Sequence, residues 1–217
     1  MNHMSARPPR LRGGFRLLVI AAFLASVVGL VPLRATTVVA PTFTQLVNES
    51  DYIVRAVVKT VTAEWRDVQG HPRIYSLVEL DVREVIAGKP PQPLILQVLG
   101  GKIGEQELVL EGAPKFVVGE ENIYFIRGNG QNIYPLVAIM HGSYPVMKDS
   151  STGREYMARS NHAPLADTAE VSQPMAEAPA NTIGATGKKP SDALSPGEFV
   201  RRVKTAIDPT YRRVQQR

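Results

Sequence analysis

The sequence predicts a mainly β protein, an antiparallel OB-like barrel or sandwich with a short N-terminal helix and a C-terminal helix. Roughly six or seven short apolar segments lie between residues 52 and 146, several alternating apolar with polar side chains as strands do. Turns that contain Gly or Pro separate these segments. No long amphipathic helix falls between them, which argues against a parallel α/β sheet.

The first 35 residues are typical of a secretion signal peptide. Their cationic, acid-free start contains four arginines: Arg7, Arg10, Arg12 and Arg16. The apolar stretch that follows, residues 17–33, is shorter than the ~20 residues of a membrane-spanning helix. Ala35 is a small residue at the expected cleavage point, so the mature chain should begin near Thr36. Retention as an uncleaved anchor, with Arg34 as a flanking charge, is the alternative.

The charge and the cysteine content of the chain exclude several classes of function. The chain has 25 Lys and Arg against 20 Asp and Glu, and five of the arginines belong to the leader. The mature protein is therefore formally neutral, and we expect no nucleic-acid partner. Because the chain has no Cys, disulfides, zinc–thiolate sites, thiol nucleophiles and a lipid-acceptor cysteine are excluded. We expect a periplasmic or secreted protein that is stabilised by its core.

The domain organisation follows from changes in composition. Residues 36–149 form the predicted β-barrel domain, which starts with a helix at residues 41–50 whose N-cap is Thr42. Residues 150–194 are rich in Ser, Thr, Ala, Pro, Gly and Asn and predict a flexible linker. Residues 195–217 predict a basic helix and tail, opened by a capping box at Ser195.

Strands are expected over the following ranges: residues 52–62, 73–85, 94–99, 107–111, 123–127 and 134–146. The last range is interrupted at His141 and Gly142. The segment 73–85 shows the cleanest alternation, with one core-facing set of side chains: Ile74, Ser76, Val78, Leu80 and Val82. Glu79 and Asp81 fall on the opposite face, which we expect to be solvated.

No residue pattern predicts a catalytic, cofactor or metal site. The three histidines after the leader, His71, His141 and His162, show no ligand spacing. Ser143 lies beside His141 without an evident acid partner or oxyanion loop, so both are expected to be edge-strand residues. The acidic pairs Glu105 with Glu107 and Glu120 with Glu121 lack calcium-loop spacing and predict solvated loops.

Two further features allow a binding role. Trp65 and Arg66 lie close to a turn and could stack on a sugar or peptide, although a rim or core position explains a lone Trp equally well. The C-terminal helix carries an apolar stripe and basic flanks, so docking on the barrel and contact with anionic lipid or an acidic partner are both open. Glycines 100, 101 and 104 lack a phosphate-loop context and predict positive-φ turns.

The body, residues 36–146, resembles a family of uncharacterised secreted bacterial proteins, and similar segments occur beside metalloprotease modules. The resemblance is carried by residues 43–47, 50–55, 85–89, 99–104, 112–120 and 142–146. A second, architectural similarity is to the netrin-like OB-type barrel of tissue inhibitors of metalloproteinases. It matches Gly88-Lys89 and Gly119-Glu120 leading into residues 124–126. Those inhibitors use an N-terminal cysteine, which this chain lacks, so the similarity implies fold more than function.

We therefore expect an exported, non-enzymatic β-barrel binding module of unknown ligand, with a protein partner in the cell envelope as one option. Two alternatives stay open: an accessory or inhibitor domain of an extracellular hydrolase or protease system, and an unrecognised extracellular enzyme. A third is a peripheral surface protein held by its basic tail. No cofactor is expected, and membrane contact is limited to the signal peptide and this tail.

Overall fold

The computed structural model describes residues 39–110, 113–174 and 188–208. The predicted signal peptide with its cleavage site at Ala35, part of the predicted linker (residues 175–187) and the end of the basic tail (residues 209–217) lie outside the described residues. Within the described ranges, no helix is both long and apolar enough to cross a membrane.

Eight strands and two α-helices make up the regular structure of the described residues. In chain order they are α1 (Phe43–Asn48), β1 (Tyr52–Val68), β2 (His71–Ala87), β3 (Leu94–Leu99), β4 (Gly101–Ile103), β5 (Gln106–Leu108), β6 (Glu121–Ile126), β7 (Ser143–Lys148), β8 (Glu155–Met157) and α2 (Pro196–Ala206). Three short 3-10 turns lie at Ile139–Gly142, Thr168–Ser172 and Pro190–Asp192.

A six-stranded antiparallel sheet dominates the fold, with strand order β3-β2-β1-β6-β7-β8. The strands β4 and β5 form a separate two-stranded hairpin. The mainly β prediction with two helices is thus confirmed. The ladders of the described strands do not close into a barrel, because β3 and β8 end the strand order without pairing with each other.

Both helices begin where the sequence predicts. The Thr42 hydroxyl accepts the N–H of Gln45 while the Gln45 side chain accepts the N–H of Thr42, which completes a capping box at α1. At α2 the Ser195 hydroxyl accepts the N–H of Glu198, and Pro196 occupies the first helical position, where a missing N–H costs nothing.

The sheet carries a hydrophobic core on each face. Successive residues of a strand point to opposite faces, so Val54 and Tyr124 pack in one core and Ile53 and Phe125 in the other. The first core lies between β1, β2, β3 and β6; the second lies under α1 and α2. Coverage on both faces explains why β1 is apolar at both parities near its start.

The second core also contains residues from the segment for which composition predicts a flexible linker. Met157, Leu165, Val171 and Leu194 are all buried in it. The Arg154 guanidinium fastens the two described parts of this segment by donating to the carbonyls of residues 190, 191 and 193. The segment differs from the prediction because its average apolar content is low, yet its few large apolar side chains are all buried in one core.

The C-terminal helix docks on the sheet. Phe199, Val200 and Val203 of α2 are buried in the second core, and the Phe199 ring meets the rings of Phe43, Phe125 and Tyr144. The basic flanks form ion pairs with the body: Arg202 lies 2.7 Å from Asp167, and Lys204 lies 2.9 Å from Glu84.

The expected strand over residues 134–146 is only partly present. Leu136 makes an isolated bridge to Ile126, the backbone turns left-handed at Ala138 and Ile139, and a 3-10 turn precedes β7. The prediction that His141 and Ser143 are edge-strand residues is wrong: His141 lies in the 3-10 turn, and Ser143 begins β7, which is flanked by β6 and β8. The left-handed residues break the strand before His141.

Candidate functional site

A cleft of about 700 Å³ lies where the chain leaves β6. Polar side chains from Asp51, Arg127, Gln131, Asn132 and Tyr134 line it. Its apolar lining comes from Leu110, Ile133, Leu136 and Ile139, and the Ile133 side chain is 55% exposed. The cleft loop, residues 127–139, supplies most of both sets.

Hydrogen bonds fix the start of the cleft loop. The Asp51 carboxylate accepts the N–H of Gly128 at 2.6 Å, and the Gly128 carbonyl accepts the N–H groups of Gln131 and Asn132 at 2.9 and 2.8 Å. Gly128 has φ +62°, and a Cβ added there would lie 2.2 Å from the Asn132 side chain. A side chain here would have to displace the Asn132 amide and adopt a positive φ, so glycine suits the position, and the turn holds Gln131 and Asn132 in a defined place.

Asn129 joins the cleft loop to β3. Its side-chain oxygen accepts the N–H of Gln97 at 3.0 Å, and its amide nitrogen donates to the Ile95 carbonyl at 2.8 Å. Further along, the Leu99 N–H donates to the Ile133 carbonyl at 3.1 Å. The loop therefore hydrogen-bonds to the backbone of β3 along the edge that no other described strand pairs with.

Two consecutive residues in the cleft wall have a backbone conformation that is costly for their side chains. Ala138 has φ +46° and Ile139 has φ +56°, both in the left-handed region. Such a conformation costs roughly 1–3 kcal/mol per non-glycine residue, and a β-branched residue such as Ile is a genuine outlier there. Strain of this kind is typically found at ligand clamps and active sites.

The charges at the cleft are largely paired within the protein. Arg127 lies 2.6 Å from Glu49, and Asp51 is engaged by the Gly128 N–H. The Tyr134 hydroxyl is buried without a hydrogen-bond partner among the described residues, and burial raises the pKa of this phenol. The lining therefore offers amides and apolar groups to a ligand.

A buried polar cluster lies next to the cleft loop, around His141. The His141 side chain is 2% exposed, and its Nδ1 has no hydrogen-bond partner among the described residues. Burial and, to a lesser extent, the nearby Arg159 charge lower the pKa of His141 to about 4. A hydrogen bond with the Val171 backbone acts in the opposite direction but is the smaller effect. Burial also lowers the pKa of Arg159 and raises that of Tyr144.

The cluster is completed by residues from the C-terminal part of the chain. Arg159 donates to the Gln173 carbonyl, and Glu170, which is nearly buried, forms an ion pair with Lys188 at 2.7 Å. These contacts join the 3-10 turn Thr168–Ser172, the chain just after β8 and the segment before α2 close to His141. The arrangement explains His141 as a structural group that stays neutral in the fold.

The three histidines weighed from the sequence lie apart. His71 is exposed at the β1–β2 turn, His141 is buried, and His162 lies in a loop with φ +63°. No group of three or more His, Asp or Glu side chains among the described residues is placed to hold a metal ion. The Ser143 hydroxyl donates to Asn122 at 3.1 Å, a partner other than His141.

The remaining candidates lie on the surface of the sheet. Glu79 pairs with Lys59 and Asp81 with Arg83, on the solvated face that the alternation predicts. Trp65 is 47% exposed near the end of the β1–β2 hairpin, whereas the guanidinium of Arg66 stacks over the Tyr75 ring at 5.4 Å. Gly100, Gly101 and Gly104 all have positive φ, as expected of turn residues.

Sequence reasoning missed the cleft because its residues are distant along the chain. Asp51, Leu110 and the cleft loop come together only in the folded chain. One local signal was available: the run from Arg127 to Asn132 is unusually rich in Gly and amide side chains, beyond what one turn needs. The chain matches no protein-family model and no curated protein sequence.

Proposed function

We propose that this chain is an exported, non-enzymatic binding module that holds its ligand in the cleft formed by the cleft loop. The observation that carries the proposal is the strained pair Ala138 and Ile139 in the cleft wall. A fold retains two adjacent left-handed side chains only when the surrounding structure imposes them, and here they shape a concave surface.

The lining favours an uncharged, peptide-like ligand. Because Arg127 and Asp51 are already engaged within the protein, little net charge is left for a ligand. The Gln131 amide can donate to and accept from a peptide group, and the exposed Ile133 offers an apolar contact. The Asn132 amide nitrogen donates to the Arg127 carbonyl, which leaves its second N–H and its oxygen for a ligand. A short neutral peptide with one apolar side chain combines these needs.

The test is a titration of the mature chain with a panel of N-acetylated, C-amidated tripeptides, followed by amide chemical shifts. We expect shifts confined to residues 127–139 and affinity at least tenfold weaker in Ile139→Gly. Glycine adopts φ +56° without strain, which offsets the packing lost with the half-buried Ile side chain, so the free energy of unfolding should change by no more than about 1 kcal/mol. Val117→Gly, an exposed site outside the cleft, is the control. Shifts elsewhere, or no binding by any peptide, would contradict the proposal.

We further propose export through residues 1–35, supported by the arginine-rich start and the short apolar stretch. The full chain expressed in a bacterium should be recovered outside the cytoplasm with Thr36 as its first residue, as measured by mass spectrometry. Cytoplasmic protein that retains residues 1–35 would argue against export.

We also propose that the main sheet belongs to an OB-like barrel. Two hydrogen bonds support it: Leu99 N–H to the Ile133 carbonyl and Arg127 N–H to the Pro135 carbonyl, each 3.1 Å. They place residues 133–135 between the ends of β3 and β6, where a barrel would have to close. Slow exchange of both amide protons in solution is expected if this closure persists.

A further inference from the structure

The outer half of β1 has an edge without a backbone partner among the described residues. The ladder between β1 and β6 ends at Val57, and Val58 then exchanges hydrogen bonds of 2.9 Å with Gly119 and Glu120. Pairing with β2 on the other side continues as far as Val68. Residues 60–68 therefore pair with β2 on one side only, and β2 in turn pairs with β3 as far as Tyr75, so the outer edge of β1 is open to pairing.

The backbone of Trp65 points to this open edge. Trp65 lies opposite Ile74, and the Ile74 carbonyl accepts the N–H of Gly100, on the side of β2 away from β1. In an antiparallel ladder, opposed residues that do not bond to each other direct both backbone groups away from each other. The N–H and C=O of Trp65 are thus available to another strand.

The side chains along this edge form a self-complementary pattern. Trp65 projects on one face and is 47% exposed, while Glu64 and Arg66 project on the other. Glu64 and Arg66 carry opposite charges and lie at equal distances along the strand on either side of Trp65. Within one chain they form an ion pair, and Arg66 also donates to the Gln97 side chain, so a dimer would bring two such pairs together. A two-fold axis at Trp65 therefore places each charge opposite its complement.

We propose that a second copy of this chain pairs antiparallel with the open edge of β1, with a two-fold axis at Trp65. The two Trp65 residues exchange both backbone hydrogen bonds, and Glu64 of each copy lies opposite Arg66 of the other. The sheet then continues from one copy into the next, an isologous interface.

Other registers lack this match. An axis at Glu64 would place the two Glu64 side chains, which carry like charges, opposite each other. An axis at Ala63 would place Glu64 opposite Thr62 and Arg66 opposite Thr60, with no charge pair. The pattern therefore specifies one register.

The experiment uses the mature full chain and measures mass by light scattering over a hundredfold range of concentration. We expect a monomer–dimer equilibrium in the wild type. Glu64→Arg places Arg opposite Arg and Arg66→Glu places Glu opposite Glu, so each should weaken dimerisation at least tenfold. The double variant Glu64→Arg with Arg66→Glu restores the complement and should recover most of the affinity. Glu79→Arg, the same change on β2 away from the open edge, should have no effect.

A second readout separates loss of dimer from loss of fold. Trp65 is the only tryptophan of the chain, so its fluorescence reports on this interface alone. We expect its emission to shift to the blue with rising concentration in the wild type and the double variant, and to stay constant in the single variants. Far-UV circular dichroism should be the same for all. A wild type that stays monomeric throughout, or a double variant as weak as the singles, would overturn the proposal.

Discussion

Acidification should destabilise this protein through His141. The imidazole is buried close to Arg159 and the Val171 backbone, with Tyr144 and Glu170 close to Arg159 in turn, and burial lowers its pKa from 6.5 to about 4. The unfolded chain therefore binds a proton at pH 5 to 6 that the folded chain does not. The free energy of unfolding should decrease as the pH falls from about 6.5 to about 4, and this group should add no further loss below that.

The size of the effect follows from the difference in pKa. Each pKa unit corresponds to about 1.4 kcal/mol, so the interval from 6.5 to about 4 gives a loss of about 3 kcal/mol. That is a large share of the 5–15 kcal/mol typical of a folded domain. The pKa of Asp167 is lowered by hydrogen bonds from the Ala169 backbone and Arg202. Protonation of such carboxylates also decreases the free energy of unfolding of the protein as the pH falls. A variant is needed to separate the two contributions.

Urea unfolding of wild type, His141→Gln and His71→Gln at pH 7.5, 6.5, 5.5, 4.5 and 4 measures the contribution. Glutamine does not titrate, so His141→Gln should lose about 3 kcal/mol less than the wild type between the extremes, whatever its stability at pH 7.5. His71 is exposed at a turn, and its variant should follow the wild type. Equal pH dependence of His141→Gln and wild type would refute the reasoning.

Two further substitutions test the packing. Leu165→Ala empties a fully buried site in the core under the helices and should lower the free energy of unfolding by about 2–5 kcal/mol, measured with guanidinium. The exposed Val109→Ala is the control, with an expected loss below about 0.5 kcal/mol; an equally small loss for Leu165→Ala would mean that residues 155–174 are not part of the folded unit. Asn129→Ala leaves the Gln97 N–H and the Ile95 carbonyl unpaired and should cost about 1–3 kcal/mol with faster exchange of the Gln97 amide, whereas exposed Gln131→Ala should change neither.

Local patterns were sufficient to predict most of the regular structure. The alternation in β2 buries Ile74, Val78 and Leu80 as expected, and β3 occupies the predicted residues 94–99. Both helix starts follow from capping chemistry that is complete within four residues. These features depend on neighbours in sequence, which is why the sequence alone contains them.

Features that depend on distant contacts were not predictable in the same way. Nothing in the composition of residues 150–174 indicates that Met157, Leu165 and Val171 meet Phe199 in one core. The left-handed pair Ala138 and Ile139 has no sequence signature, because neither residue favours that conformation. The cleft could not be predicted for the same two reasons. Its wall contains the left-handed pair, and its other residues come together only through contacts between distant parts of the chain.

The edge of β3 and the outer edge of β1 differ in how the described chain covers them, and this contrast supports self-association. At β3 the Asn129 side chain supplies the acceptor and the donor that a neighbouring strand would offer, so that edge is closed by the chain itself. The outer half of β1 has no such cap among the described residues, although it is longer and carries the only tryptophan. Its charged residues, Glu64 and Arg66, match those of a second copy when the axis lies at Trp65 and not when it lies at Ala63 or Glu64, which favours a single closed dimer.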